Sequence, residues 1–201
     1  MNRRSRVLDQ SEYEKVIQAI KYGFVLEGHT VRPSPRLSAI CICQANTGLR
    51  VGDVLNLKLS SFTMQNGRYY IDVQEQKTRK KRFFPIATEV YSFLQNYALE
   101  NNISKNEILF PITARAVNKQ LNKVGKYLGI SNLSSHSFRK FWATNLYNKS
   151  NYNIEIVRIG LLHSSASISQ KYIGINPKVV EQALLDNFYI PSFENLSENA
   201  S

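Results

Sequence analysis

The chain has few of the residues that bind metals or form disulfides. Its 201 residues include two cysteines and three histidines, and Cys41 and Cys43 stand two positions apart in an apolar run. This spacing does not suit a zinc site, so we expect buried free thiols and a reducing, cytoplasmic environment. Because the sequence shows no cluster of carboxylates, cysteines or histidines, we predict that the protein needs no metal and no other cofactor.

Long apolar runs and targeting segments are also missing. The longest apolar runs are too short to span a bilayer, and the basic residues 1–6 are not followed by the apolar stretch of a signal peptide. The sequence contains no internal repeats, no low-complexity segment and no linker. We therefore predict no membrane partner and a single domain over residues 1–201, with its core at about 8–188 and a flexible tail at 189–201.

Acidic residues are scarce relative to basic ones. The chain has 15 aspartates and glutamates against 26 lysines and arginines, which gives a formal net charge of +11. Such a balance favours a polyanionic partner. It is equally compatible with an ordinary basic protein, so the motifs have to decide between the two interpretations.

Hydrophobic periodicity predicts a mainly α chain with a small antiparallel three-stranded β-sheet, which is an α+β fold. Runs with a period of two at 62–64, 69–73 and 82–86 predict the strands, and Asn66-Gly67 predicts a tight turn between the first two. Residues 23–35, with two glycines and two prolines, are interpreted as a loop with partial helix.

Apolar residues at helical spacing, together with capping and stop signals, predict the helices. Their approximate positions are 9–22, 35–47, 50–57, 88–97, 113–128, 135–148, 153–161, 166–174 and 177–187.

Two short motifs suit the binding of an anion. His136 and Arg139 are three positions apart, so a helix capped by Ser134 or Ser135 places both on one face of its first turns. A cation and an imidazole beside a helix N-terminus form a site for a phosphate. Arg50 adds a second arginine directly after a glycine turn.

These residues belong to an ordered set that resembles the catalytic domain of the tyrosine recombinase (phage integrase) family, over about residues 8–185. The members of the set are Arg50, Asp53, Lys77, His136, Arg139, His163 and Tyr172. The resemblance implies the family's catalytic-domain fold and double-stranded DNA as the partner. It also implies site-specific recombination by a tetramer, through a covalent 3′-phosphotyrosine and without metal or ATP. The reaction then serves the integration, excision or inversion of a DNA element.

The resemblance assigns most of the chemistry to five residues. Tyr172 attacks the phosphodiester, and Arg50 and Arg139 clamp its non-bridging oxygens, since a guanidinium donates two parallel bonds and stays charged. His163 adds a hydrogen bond to the same oxygens, and His136 accepts or relays the tyrosine proton. Tyr147 and Tyr152 are the competing nucleophile candidates on the basis of sequence position.

The basic turn between the second and third strands supplies the proton for the leaving oxygen. Lys77 fits the family pattern in Gln76-Lys77-Thr78, although Lys80 or Lys81 could take the same role. Asp53 is expected to orient Arg50 or His136. The residues predicted to contact DNA outside the catalytic set are Arg79, Lys80, Lys81, Arg82 and Lys140. A run of cations can also be a solvated turn that protects a sheet edge.

The sequence departs from the family pattern in several places. Leu162 stands before the second histidine where glycine is common, and Asp53 stands where glutamate is commoner. Most members carry a separate core-binding domain, and only a few residues precede the first predicted helix here. We therefore expect this chain to have no N-terminal core-binding domain. The chain is then either a stand-alone short recombinase or a fragment of a longer integrase.

The apolar stripe of the predicted helix 177–187 needs a partner surface. The resemblance implies that this helix docks on the neighbouring protomer, while packing on its own domain is the alternative. Two other functions stay open at this point. One is DNA relaxation like that of a type IB topoisomerase, and the other is non-catalytic DNA binding on the same fold.

Overall fold

The computed structural model of the protein describes residues 5–174. This region forms eight α-helices and two antiparallel sheets, which confirms the mainly α fold with a small sheet. The helices are α1 Gln10–Tyr22, α2 Pro35–Thr47, α3 Val51–Val54, α4 Thr88–Glu100, α5 Ala114–Leu128, α6 Ser135–Lys149, α7 Ile154–Leu161 and α8 Ala166–Gln170. The strands are β1 Phe24–Leu26, β2 His29–Val31, β3 Phe62–Gln65, β4 Arg68–Gln74 and β5 Lys81–Ile86.

The helix boundaries follow local chemistry. Asp9 caps α1 by accepting a 2.7 Å hydrogen bond from the Glu12 backbone, and the Glu12 side chain accepts one from the Asp9 backbone at 3.2 Å. Gly48 and Gly129 end α2 and α5 in the left-handed conformation, with φ of 64° and 68°. The glycine turn of Gly48 sets the direction in which the chain continues to Arg50.

The three predicted strands pair in the order β3-β4-β5. Phe62, Ile71 and Phe84 lie side by side across the sheet, on the face that packs on the core. The predicted turn between the first two strands is confirmed, since Asn66 and Gly67 both have positive φ, at 49° and 74°.

The interpretation of residues 23–35 as a loop with partial helix is wrong. This stretch forms a hairpin in which β1 pairs antiparallel with β2, turning at Glu27 and Gly28 with φ of 51° and 77°. Each strand has only three residues, which is too few for an alternating pattern to be recognised. Phe24 anchors the hairpin by stacking on Tyr127 of α5 at 4.4 Å.

Helix α2 runs through the core and packs against α6. Cys41 and Cys43 are fully buried on it as free thiols, as expected. Trp142 of α6 lies against Gly48 on one side and Gly160 on the other, where a side chain on either glycine would overlap its ring. No helix between residues 5 and 174 is long and apolar enough to cross a bilayer.

The last helix within residues 5–174 is shorter than predicted. Residues 166–174 were expected to be helical, but α8 ends at Gln170 and Tyr172 follows in a turn. The Thr144 hydroxyl of α6 accepts a 3.1 Å hydrogen bond from the Gly174 backbone, which draws this segment away from a helical path. The predicted helix 177–187 and the tail 189–201 lie outside the described residues.

The contact between Gly48 and Trp142 allows a matched comparison of two glycines. Gly48→Ala and Gly129→Ala both force alanine into the left-handed region, but at Gly129 no atom lies within 4 Å of the added carbon. We expect Gly129→Ala to lower the free energy of unfolding by about 1 kcal/mol. Gly48→Ala should lower it by about 2 kcal/mol more, because the methyl group displaces the indole. Urea denaturation measures both values, and equal losses would contradict this packing.

Candidate active site

A cavity of about 590 Å³ opens where α3, the β4–β5 turn, the start of α6 and the segment after α7 meet. The predicted site residues that line it are Arg50, Asp53, Lys77, Lys80, His136, His163 and Tyr172. These residues are spread over more than half of the sequence, and the fold brings them to one surface.

Arg50 lies at the base of this cavity. It follows the Gly48 turn as the N-cap of α3, and 22% of its side chain is exposed. Its guanidinium forms a short ion pair with Glu75, which is fully buried. Burial opposes ionisation of Glu75, but the Thr78 hydrogen bond and the charges of Arg50 and Arg82 outweigh it and lower the pKa of that carboxyl.

Of the seven residues that carry the family resemblance, all within residues 5–174, Arg139 alone does not line the cavity. It is fully buried, and its guanidinium donates to the carbonyls of Gly48, in a short hydrogen bond, and of Leu161, at 3.2 Å. Burial, and then the charge of Arg50, lowers the pKa of Arg139 to about 10, so the group remains a cation at neutral pH. The ring of Tyr172 lies over it, 5.7 Å from the guanidinium carbon.

Tyr172 sits between the two predicted histidines. Its ring centre is 4.9 Å from that of His136 and 4.8 Å from that of His163. Burial and the charge of Arg139 lower the pKa of each imidazole to about 4, so both rings are neutral at pH 7.

A buried serine orients the second histidine. Ser169 of α8 lies 3.0 Å from His163 Nδ1, which leaves the opposite edge of the ring to face the cavity. The predicted start of α6 is confirmed, with Ser134 as its N-cap and His136 and Arg139 in its first turns.

The predicted role of Asp53 needs correction. We expected it to orient Arg50 or His136, but its Oδ1 accepts a 2.9 Å hydrogen bond from the backbone of Gln76. It therefore holds the turn that carries Lys77, whose side chain is exposed at the cavity. Sequence spacing placed Asp53 near Arg50 but could not show which way its carboxylate turns.

Two of the predicted DNA contacts lie in the protein interior and are withdrawn. Arg82 is 1% exposed and pairs with Glu75 at 3.2 Å. Lys140 is 7% exposed, and its ammonium donates to the carbonyl of Ser5 at 2.8 Å. The other three are exposed, Arg79 and Lys80 on the turn between β4 and β5 and Lys81 at the start of β5.

Four consecutive carbonyls at the end of α7 each accept a hydrogen bond from a different cation. The pairs are Gly160 with Arg82 at 2.8 Å, Leu161 with Arg139 at 3.2 Å, Leu162 with Lys80 at 3.2 Å and His163 with Arg158 at 3.0 Å. Cations at a helix C-terminus are favourable because the unpaired carbonyls there carry partial negative charge. Leu162, directly before His163, is in the left-handed conformation at φ 55°, at the position where the family commonly has glycine.

Sequence reasoning missed Glu75. An acid two residues ahead of five cations was visible, but nothing in its spacing showed that it is buried and paired with Arg50 and Arg82. The rival tyrosines are elsewhere: Tyr147 and Tyr152 pack on each other at 5.5 Å, and neither is among the residues that line this cavity.

Comparison with known proteins shows which family this chain belongs to. The profile of the phage integrase family matches residues 6–178. The chain belongs to the phage integrase family. This membership confirms the predicted resemblance and its fold.

Two relatives and one solved structure illustrate the match. Tyrosine recombinase XerH of Helicobacter pylori is 26% identical over 186 residues, covering 88% of this chain and 50% of the relative. Probable integrase/recombinase YoeC of Bacillus subtilis is 29% identical over 69% of this chain and 77% of its own length. A crystal structure of XerH bound to palindromic difH substrate, a post-cleavage complex, superposes with a TM-score of 0.70 at 25% identity, covering 92% of this chain and 53% of that one. The chain thus spans about half the length of XerH.

Proposed function

We propose that this chain is the catalytic domain of a site-specific tyrosine recombinase, which cleaves and rejoins DNA strands through a 3′-phosphotyrosine at Tyr172. The observation that carries the proposal is the position of the Tyr172 ring between two neutral imidazoles and above a buried arginine, at a cavity that Arg50 and Lys77 also line. Relatives named tyrosine recombinases support it.

The charge of the site suits a phosphodiester. Arg50 and Arg139 are cations in or behind the cavity, and the lowered pKa values of His136 and His163 reflect that positive surrounding as well as burial. An anion placed here gains from each cation and from the partly desolvated setting. In the proposed reaction Arg50 donates to the non-bridging oxygens, and His163 adds a hydrogen bond to them.

The proposed cleavage step exchanges one phosphoester bond for another. The phenolic oxygen of Tyr172 bonds to phosphorus while His136 accepts its proton, and the bond from phosphorus to the 5′-oxygen breaks. Lys77 gives a proton to that oxygen. Because a phosphodiester is conserved in the protein–DNA link, the reverse step rejoins the strand without ATP.

In the proposed reaction, Arg139 contacts the phosphate only after the side chains around it rearrange. In this structure the ring of Tyr172 covers its guanidinium, and its nitrogens bond the carbonyls of Gly48 and Leu161. We propose that the ring moves off when a phosphate enters, so that the guanidinium supports the phosphate from behind the cavity wall.

Double-stranded DNA is the proposed partner. Lys80 of the β4–β5 turn lines the same cavity, and Arg79 and Lys81 are exposed beside it in the sequence, so all three suit contacts to neighbouring phosphates. The structure of XerH bound to difH substrate is of a protein–DNA complex, which supports this assignment.

We further propose that four chains assemble on DNA and that helix 177–187 docks on the neighbouring protomer. The apolar residues of that stretch cannot stay in water as a lone helix. Ile156 and Ile159, 42% and 58% exposed on α7, offer an apolar surface of the matching kind.

Deleting residues 177–201 tests the docking. We expect the shortened chain to keep its melting temperature and to bind a single DNA site, but not to sediment as a tetramer on DNA with two sites. Ile159→Ser should cause the same assembly loss in the full chain. Unfolding of the shortened chain would place the helix in its own core, and normal assembly would contradict docking.

Mapping the protein–DNA link tests the function. Duplexes that bind the Tyr172→Phe variant are first selected from a pool of random sequences. The same duplexes, now carrying a nick that traps the covalent product, are then incubated with the wild-type protein. We expect a link at Tyr172 and no detectable product with Tyr172→Phe, while Tyr147→Phe and Tyr152→Phe react normally. A link at another residue would contradict the assignment of the nucleophile. Selective binding without any covalent product would indicate a non-catalytic DNA-binding protein.

A further inference from the structure

The buried ion pair of Glu75 and Arg82 lies directly beneath the cavity. Glu75 follows β4 and is fully buried, while Arg82 is the second residue of β5 and is 1% exposed. Glu75 Oε1 and Arg82 Nη1 are 3.2 Å apart. Neither residue is among those that line the cavity, so neither is placed to touch a substrate there.

Glu75 reaches two parts of the proposed machinery with its second oxygen. Oε2 forms the short ion pair with Arg50 and accepts a 2.6 Å hydrogen bond from the hydroxyl of Thr78, the residue after Lys77. Its backbone closes the same turn, since Glu75 N donates to Lys80 O at 3.0 Å and Glu75 O accepts from Arg79 N at 2.9 Å. One carboxylate therefore fixes both the direction of the Arg50 guanidinium and the shape of the Lys77 turn.

Arg82 reaches the opposite side of the site with its second nitrogen. Nη2 donates to the carbonyl of Gly160 at 2.8 Å, three residues before His163. It also approaches the carbonyl of Thr47 at 3.4 Å, three residues before Arg50. The guanidinium packs on the ring of Phe84, 4.6 Å from its centre, which limits its rotation.

We propose that Glu75 and Arg82 are positioning residues that set the distance between Arg50, Lys77 and His163. The pair connects the end of α2, the β4–β5 turn and the end of α7 through hydrogen bonds that are buried or partly buried. Arg139 and Lys80 add further links between these segments. This inference rests on the proposed function, because the positions matter only if those three residues act on one phosphate.

The chemistry of the pair favours positioning over simple stabilisation. A buried ion pair seldom adds net stability relative to apolar side chains, because both charges lose their hydration. A planar fork can direct one nitrogen to Glu75 and the other to Gly160, whereas a lysine ammonium is a point charge without that geometry. Errors of about 1 Å in the placement of reacting groups can slow a reaction by about 100-fold.

The test compares three changes in the full chain: Arg82→Lys, Glu75→Gln and the paired replacement Glu75→Gln with Arg82→Met. The paired replacement removes both charges, so it avoids the unpaired buried Arg82 that Glu75→Gln alone leaves in the interior. Arg6→Lys, at the surface ion pair with Glu12, is the matched control. Circular dichroism confirms folding at the assay temperature. Cleavage is measured in a single turnover on the selected, nicked DNA, and affinity is measured in the Tyr172→Phe background.

We expect each folded variant to cleave about 10- to 100-fold more slowly than the wild type. DNA affinity should stay within about threefold, because neither Glu75 nor Arg82 lines the cavity and one phosphate is a small part of the charge that the proposed DNA partner presents. Arg6→Lys should match the wild type in both measurements. Cleavage within threefold of the wild type in the folded paired variant would overturn the inference, as would parallel losses of affinity and cleavage. If the wild type itself cleaves no selected DNA, the proposed function fails, and the inference fails with it.

Discussion

The arrangement of the site depends on the ion pairs that the carboxylate of Glu75 forms. Arg82 and Arg139 are buried, and Arg50 is partly so, yet buried charges are unfavourable unless they are paired and hydrogen-bonded. Glu75 pairs with Arg50 and Arg82, and backbone carbonyls at the ends of α2 and α7 supply further acceptors. Satisfying the guanidinium groups in this way draws two helix ends and the β4–β5 turn together, and the cavity forms between them.

The resulting site keeps an excess of positive charge, and this connects the fold to the proposed chemistry. His136 and His163 are held neutral by burial and by the nearby cations, and Tyr172 lies between them. A phosphodiester carries the negative charge that these cations favour. In the proposed reaction, the cations of the site take the place of a metal. In the proposed function, the chain's net charge of +11 also favours the approach of a polyanion such as DNA at longer range.

The sequence was sufficient for the main helices, the three-stranded sheet and the residues that meet at the cavity. It failed where the answer depended on the direction of a side chain. Arg82 was interpreted as a surface cation, although alternation along β5 places it on the inward face with Phe84. Glu75 could not be recognised because its burial results from the meeting of three distant segments. The β1–β2 hairpin was missed because three-residue strands carry almost no periodic signal.

Titration of the two site histidines by NMR tests the central claim, that this cavity is a buried and cation-rich anion site. In the folded protein, His136 and His163 should titrate near a pKa of about 4 rather than the ordinary 6.5. Between these values the unfolded chain binds more protons than the folded one, so stability should rise from pH 4 to pH 6.5. Urea-unfolded protein provides the reference titration. Both histidines titrating at or above their unfolded pKa would contradict the account.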